Sequence, residues 1–390
     1  MKLIAEEDLD WMRDPDNEVY FYFFVSYLEA RKGGKRKTFD EHKFEVNDFE
    51  NLYLLVESIK RGVYKPMRGT AHVVFNPVIR EIFAASFRDR VVHHFIYMMI
   101  YDWWDRHFIY DSYSCREGKG TKLGYERLQH HIRSAMRTGK KVYVITMDIQ
   151  GFFMSLDRKR LYKRAMWGLD KQFEGNKGLM YSMLKFCLRE VIMDDPVKGA
   201  RLKGWPEDWR YMPDNKSLLK QPKGVGIVIG NLTSQLLSNI YLDMLDRYIH
   251  STLKYKRYGR YVDDFYILVT EDELTRALTD VKSIERFLRT LKLTLHPRKT
   301  RVQPVNNGVP FLGVVVYPNV IHPGKRLIKN ARTAFYKYAH GAHNEDTLVS
   351  YVGHMKNMKH YKCLYGICES VGLPLDFWGK FEKTGTRVLE

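Results

Sequence analysis

The sequence predicts an α+β fold in which an antiparallel sheet carries its helices on one face. Three observations predict it. From 141 to 302, setting aside one polar stretch, the order reads strand, helix, strand, strand, helix, strand, a split βαβ arrangement. Lys141–Ile149 is a nearly continuous apolar run (Val142, Val144, Ile145, Met147), which marks a central strand. Gly259–Val269 reads as two short strands joined at a tight turn. Tyr261, Phe265, Ile267 and Val269 recur on a period of two, and Asp263 and Asp264, poor strand formers, stand where the turn falls. In this topology the ends of the first two paired strands can lie side by side, so Asp148 is expected to converge with Asp263 and Asp264.

Composition narrows the partners. Of 390 residues, 64 are Lys or Arg and 46 are Asp or Glu, a net charge of +18, while 45% are hydrophobic and 14% aromatic. That is a globular chain with a polyanionic partner, and the interleaving of aromatics with cations points to nucleic acid. The four cysteines (Cys115, Cys187, Cys363, Cys368) show neither zinc-type spacing nor a disulfide framework, which points to a reducing, intracellular compartment. The longest apolar run, Val91–Trp104, is too short and too polar to span a bilayer.

Taken in order, residues 11–60 read as helical, with Tyr20, Phe21, Phe23, Phe24, Tyr27 and Leu28 on one face and a basic loop at 33–37. Residues 63–80 read as extended and hairpin-like. A helix follows from Phe87, where Arg88 and Arg90 could hold phosphates or form ion pairs through Glu81 and Asp89. Tyr113–Lys122 is a basic, Gly-punctuated loop, and helices are expected over 124–137 and 177–191. The stretch 194–220 is polar and contains Trp and Pro, so it reads as an insertion or irregular connection. Gly224–Gln235 is a Gly-rich loop feeding a helix that Asn231 or Thr233 can cap. Glu271–Leu291 is a strongly periodic helix, a strand is expected over 292–302, and Val309–Val316 reads as a hairpin. Residues 320–390 read as helical and basic.

The chemistry centres on the carboxylates. A buried Asp148 at the end of a central strand is costly unless it binds something. Three carboxylates on adjacent strand ends can hold two divalent ions roughly 4 Å apart, which would activate a hydroxyl and stabilise a leaving pyrophosphate. Magnesium is the expected ion, two of them, with hard oxygen ligands. Arg80 and Lys299 are available for a triphosphate. The chain has no G-x4-G-K-[ST] loop, which excludes a P-loop phosphotransferase.

In order along the chain, Arg80, Phe87–Arg90, Tyr113–Lys119, Asp148-Ile149-Gln150-Gly151-Phe152-Phe153, Tyr261-Val262-Asp263-Asp264, Lys299 and Phe311-Leu312-Gly313 resemble the motifs of reverse transcriptases. The resemblance covers roughly residues 62–316. It implies a right-hand polymerase that copies RNA into DNA: an N-terminal helical region (1–62), fingers (63–140), a palm (141–318) with an insertion near 170–222, and a helical thumb (319–390). By position, Asp148 and Asp263 would be the principal metal ligands, with Asp264 in the same cluster and the Ile149 carbonyl assisting. The backbone at Gly151 and Phe152 would meet the triphosphate, and Phe153 would exclude a ribose 2′-hydroxyl. Arg80 would brace the phosphates, Lys299 is the candidate general acid for pyrophosphate, and Phe311, Leu312 and Gly313 look like the primer grip. The implied partners are template RNA, DNA product or primer, and deoxynucleoside triphosphates.

One departure narrows the resemblance. Most of that family carries Gln-Gly and then Ser-Pro before the palm helix, whereas this chain reads Ile229-Gly230-Asn231-Leu232-Thr233-Ser234-Gln235. That string resembles the reverse transcriptases of diversity-generating retroelements, which copy a template-repeat RNA with errors at adenines. It places Ile229, Gly230 and Gln235 beside the incoming nucleotide, where a branched apolar residue removes hydrogen bonds and lowers fidelity. The resemblance also implies a small basic accessory protein, monomeric or oligomeric, no membrane, and a cytoplasmic setting in a bacterium, archaeon or phage. The alternatives are a group II intron or retron-type enzyme and, in another class, a non-catalytic RNA-binding scaffold.

Overall fold

The computed structural model describes residues 15–32, 38–75, 78–342 and 345–382; the basic loop at 33–37 lies outside them. Its strands are β1 (Thr70–Val74), β2 (Arg80–Ala84), β3 (Val142–Asp148), β4 (Arg201–Lys203), β5 (Tyr258–Tyr261), β6 (Asp264–Thr270), β7 (Arg301–Pro304), β8 (Val309–Phe311), β9 (Val314–Val316) and β10 (Ile321–Pro323). The chain packs as two compact, discontinuous units. One comprises 1–110, 149–254 and 282–296; the other comprises 111–148, 255–281 and 297–390.

In the first unit the helices Pro15–Ala30, Asp48–Lys60, Phe87–His107, Arg158–Gln172, Leu179–Met193 and Leu232–Arg247 surround a core that includes Phe23, Val56, Phe95, Leu161, Leu184 and Ile240, all fully buried. Ser86 starts the helix Phe87–His107 as the sequence of its first turn requires: its Oγ accepts from the Asp89 N–H at 3.2 Å. Buried Asp89 in turn takes the Tyr64 hydroxyl (2.9 Å) and the Met67 N–H (2.7 Å) and pairs with Arg88 at 3.1 Å. Arg88 is therefore engaged in an ion pair, the second of the two roles its position allowed. A three-stranded sheet in the order β2-β1-β4 completes this unit, and β4 pairs parallel with β1 through Thr70↔Arg201 and His72↔Lys203. The polar stretch 194–220 thus contributes a strand to the sheet that begins at residue 70.

The second unit holds a four-stranded antiparallel sheet in the order β5-β6-β3-β7. This is the split βαβ order expected from the sequence, with β3 central. Under it packs the helix Thr121–Met136, whose Tyr125, Leu128, Ile132 and Ala135 are buried against Val142, Val144, Tyr266 and Leu268. A second small sheet, β10-β9-β8, joins the same core, and the helices Lys325–Ala339, Glu345–Met355 and Tyr361–Ser370 build a separate cluster around Phe335, Leu348 and Leu364.

One expected element is shorter than predicted. The strand expected over 292–302 is confined to β7 from Arg301. Lys292 has φ 56, Leu295 makes only an isolated bridge to Ile149, and Pro297, which cannot donate to a ladder, follows. Among the described residues no helix is long and apolar enough to cross a membrane.

Candidate active site

The carboxylates meet through strand register. β3 and β6 run antiparallel with Asp148 directly opposite Asp264, and Tyr261 pairs Asp264 across β5–β6, leaving Val262 and Asp263 as a two-residue turn. Val262 adopts φ 55, a left-handed conformation that costs a β-branched residue on the order of 1–2 kcal/mol. Such strain persists only where its surroundings hold it. Here Arg260, fully buried, donates from Nη1 to the Val262 carbonyl at 3.1 Å and from Nη2 to Ser112 Oγ at 3.0 Å.

Lys299, two residues before β7, donates from Nζ to Asp148 Oδ2 at 2.8 Å. Burial works against the charged Lys299 ammonium, but its bond to Asp148 and the nearby Asp264 and Asp263 carboxylates outweigh it and raise its pKa. Asp264 keeps an exposed surface, yet its carboxyl is pushed up to about 7. The largest cause is its partial burial, followed by hydrogen bonding with Asp148 and repulsion from Asp263 and Asp148; Lys299 opposes the shift. Crowded hard-oxygen donors that hold a proton at neutral pH carry more negative charge than their surroundings balance, and a divalent cation relieves that imbalance. The oxygen donors and their crowded negative charge fit a divalent cation. Among the described residues, however, no group of three or more His, Cys, Asp or Glu side chains is arranged to hold a metal. The expected three-carboxylate cluster is here a facing pair, Asp148 and Asp264, with Asp263 in the turn beside it.

A buried polar network supports the hairpin. The Tyr113 hydroxyl donates to Asp111 Oδ1 (2.9 Å) and lies 3.0 Å from the Tyr266 hydroxyl, which is 3.1 Å from His131 Nδ1. Arg127 grips Asp111 with two bonds, of 2.7 and 3.0 Å. Burial pushes Asp111 up, but His131 and Arg127 outweigh it and hold it below the ordinary carboxylate range. Gly259 is required here, since a Cβ would come within 2.6 Å of both tyrosine hydroxyls. Sequence reading missed Arg260 and this network. The mixed polar and aromatic residues at Asp111, Tyr113 and Tyr266 were a signal, but nothing local says that they meet. Phe311 packs edge-on against Tyr266, with ring centroids 5.2 Å apart, and the β8–β9 turn takes left-handed φ at both Leu312 (50) and Gly313 (86), as a tight two-residue hairpin needs.

The other unit gathers the residues expected to face a nucleotide. Gly151 has φ 56, and a Cβ on it would approach Asn215 O to 2.7 Å, so both conformation and space call for glycine. The Ile227 N–H donates to Phe153 O and the Phe83 N–H donates to Ile229 O, each at 2.9 Å. Asn231, the N-cap residue, makes no side-chain cap; its Oδ1 accepts from the Ala85 N–H at 3.3 Å. Phe153 and Ile229 pack on one apolar cluster of Ala71, Phe83, Met154 and Leu218. The Gly-rich loop through Gly230 is thereby stitched both to the turn after Gly151 and to β2, which begins at exposed Arg80. Phe152 is buried, and Gln235 is exposed in the first turn of its helix. Ile149 is buried at its bridge to Leu295.

The sequence model of the family described as reverse transcriptase (RNA-dependent DNA polymerase) matches residues 78–316, more than half of the 390-residue chain. The chain belongs to the reverse transcriptase family. The family part of the sequence resemblance is thus borne out. No curated protein sequence matches this chain. Among solved structures it is similar to the telomerase of Candida tropicalis, in complex with a TWJ fragment of telomeric RNA. That match has a TM-score of 0.50 at 11% identity and covers 87% of this chain and 60% of that one. The telomerase of Candida albicans, in the same kind of complex, matches with a TM-score of 0.48 at 13% identity, covering 83% and 64%. The chain spans less than two thirds of the length of either neighbour. The Candida tropicalis likeness bears on fold alone: a reverse-transcriptase-like fold of mixed helices and sheets.

Proposed function

We propose that this protein is an RNA-directed DNA polymerase that joins deoxynucleotides to a primer 3′-hydroxyl on an RNA template, and that it serves a diversity-generating retroelement. The observation that carries the polymerase reading is the direct opposition of Asp148 and Asp264 beside Asp263, with Lys299 bonded to Asp148. In this reading Asp148, Asp263 and Asp264, with the Ile149 carbonyl, hold the divalent ions. Magnesium held there would supply charge neutralisation at the phosphates and would make the attacking hydroxyl more acidic. Lys299, with its raised pKa, keeps a proton at Nζ through neutral pH and is the donor for the departing pyrophosphate. Gly151 and Phe152 offer backbone to the triphosphate, Arg80 braces it, Phe153 excludes a 2′-hydroxyl, and Phe311–Gly313 steady the primer end. In this reading 1–62 is an N-terminal helical region, 63–140 the fingers, 141–318 the palm and 319–390 the thumb. Primer extension with deoxynucleotides and magnesium tests this: product is expected from the parent and none from Asp148→Asn or Asp263→Asn. Undiminished product from either variant overturns the catalytic assignment.

The subtype rests on Ile229–Gln235. Ile229 is half-buried on the Phe83 cluster with Phe153, so an apolar side chain stands where relatives place a hydrogen-bonding one. Errors concentrated at template adenines are expected in the cDNA, together with a requirement for a small basic accessory protein in vivo. Sequencing cDNA from Ile229→Gln tests the cause: an unchanged adenine error rate removes Ile229 from the account.

A further inference from the structure

The segment 194–221 has a fastened side and an open side. Glu81, fully buried on β2, fastens it by accepting from Trp209 Nε1 (2.9 Å), Ser217 Oγ (3.0 Å) and the Leu218 N–H (2.6 Å). The pairing of β4 with β1 fastens it again, and leaves β4 as the edge of its sheet. The open side carries Trp205 and Tyr211, each 76% exposed, among the exposed cations Arg201, Lys203 and Arg210. Among the described residues none of these three cations has a carboxylate partner, whereas Lys220 in the same segment pairs with Asp214 at 2.8 Å. The period of a strand sets Arg201 and Lys203 on one side of the sheet.

Exposed aromatic faces interspersed with unpaired cations on a rigidly anchored edge match the chemistry of single-stranded nucleic acid. Bases stack on the rings, and phosphates meet the charges. Glu207, exposed between Trp205 and Arg210, offsets part of this charge, and the remaining cations beside two exposed rings favour a polyanion whose bases stack. We propose that this strap is a docking surface for single-stranded template RNA, with bases on Trp205 and Tyr211 and phosphates on Arg201, Lys203 and Arg210. The choice of RNA rests on the polymerase reading above.

The test is fluorescence anisotropy of an unstructured RNA oligonucleotide with the full chain, as a function of salt. Trp205→Ala combined with Tyr211→Ala is expected to weaken binding by about fivefold or more. Arg201→Ala combined with Lys203→Ala is expected to lower the salt slope by about 0.7 per cation removed. All four positions are exposed, so the fold is retained, and the circular dichroism spectrum and Tm of both variants stay those of the parent. Parent-like affinity and slope in both variants overturn the proposal and leave the patch to a protein partner. A parent that binds RNA but extends no primer strikes instead at the polymerase reading.

Discussion

Glu81→Gln tests how the strap is held. The Glu81 carboxylate receives three donors: Trp209 and Ser217 at Oε1 and the Leu218 N–H at Oε2. Among the described residues no cation pairs with it. Glutamine keeps the shape but offers only one oxygen. With that oxygen toward Trp209 and Ser217, the amide NH2 faces the Leu218 N–H, donor against donor; with the amide reversed, two donors are lost. Leaving one buried N–H unsatisfied costs about 1–3 kcal/mol, and the surviving bonds lose charge assistance worth roughly half their strength. Relief of a buried charge offsets part of this, so the expected loss is about 2–3 kcal/mol. Hydrogen exchange read by mass spectrometry should show faster exchange over 209–221, at the Leu218 amide above all, by roughly 30-fold or more. Because Asn215 O lies against Gly151, primer extension should fall with it. Unchanged protection at Leu218 together with an unmoved urea midpoint would refute the assignment of Glu81 as the anchor.

Three further outcomes are expected. The Asp264 carboxyl sits at about 7 in the fold, above about 4 in an unfolded chain, so the stability it contributes is present below pH 4 and lost as pH rises through 7. With solvent screening at its exposed surface the effect is about 1 kcal/mol: the metal-free parent should lose Tm between pH 5 and 8, Asp264→Asn should flatten that slope, and magnesium should raise the parent's Tm more at pH 8 than at pH 6. Gly151→Ala forces a Cβ toward Asn215 O at a left-handed position, and a loss of about 1–3 kcal/mol in thermal unfolding, with primer extension reduced at least tenfold, is expected. Arg260→Met strips the Val262 carbonyl of its donor. A fall in kcat of about tenfold, with KM for deoxynucleotide little changed and partial rescue by Arg260→Lys, would identify it as a positioning residue for the turn; equal effects on kcat and KM would argue for general unfolding.

Much of the architecture was legible because it is written in local patterns. The period-two alternation of 261–269 and the apolar run of 142–147 became β6 and β3, and the helix periodicity of 274–290 was read correctly to within a few residues. The strand expected over 292–302 was not, because Pro297 and the left-handed Lys292 interrupt a stretch whose composition alone looks extended. Asn231, with Thr233 one of two candidate caps, stands at the N-cap position, but its side chain bonds Ala85, just after β2 and 146 residues away in the chain.

The order of the motifs, the identity of the carboxylates and the split βαβ arrangement were determined by the sequence alone, because each rests on neighbours in the chain and on side-chain periodicity. Only the tertiary structure decided that Asp264 rather than Asp263 stands across from Asp148. A one-residue shift in strand register exchanges them, and register is set by the whole ladder rather than by the acidic pair. The same holds for Arg260 beneath the strained Val262, for the Tyr113–Tyr266–His131 network, and for Glu81 holding Leu218 from 137 residues away. Buried polar groups must find partners wherever the fold brings donors and acceptors together, and that pairing leaves no periodic trace in the sequence.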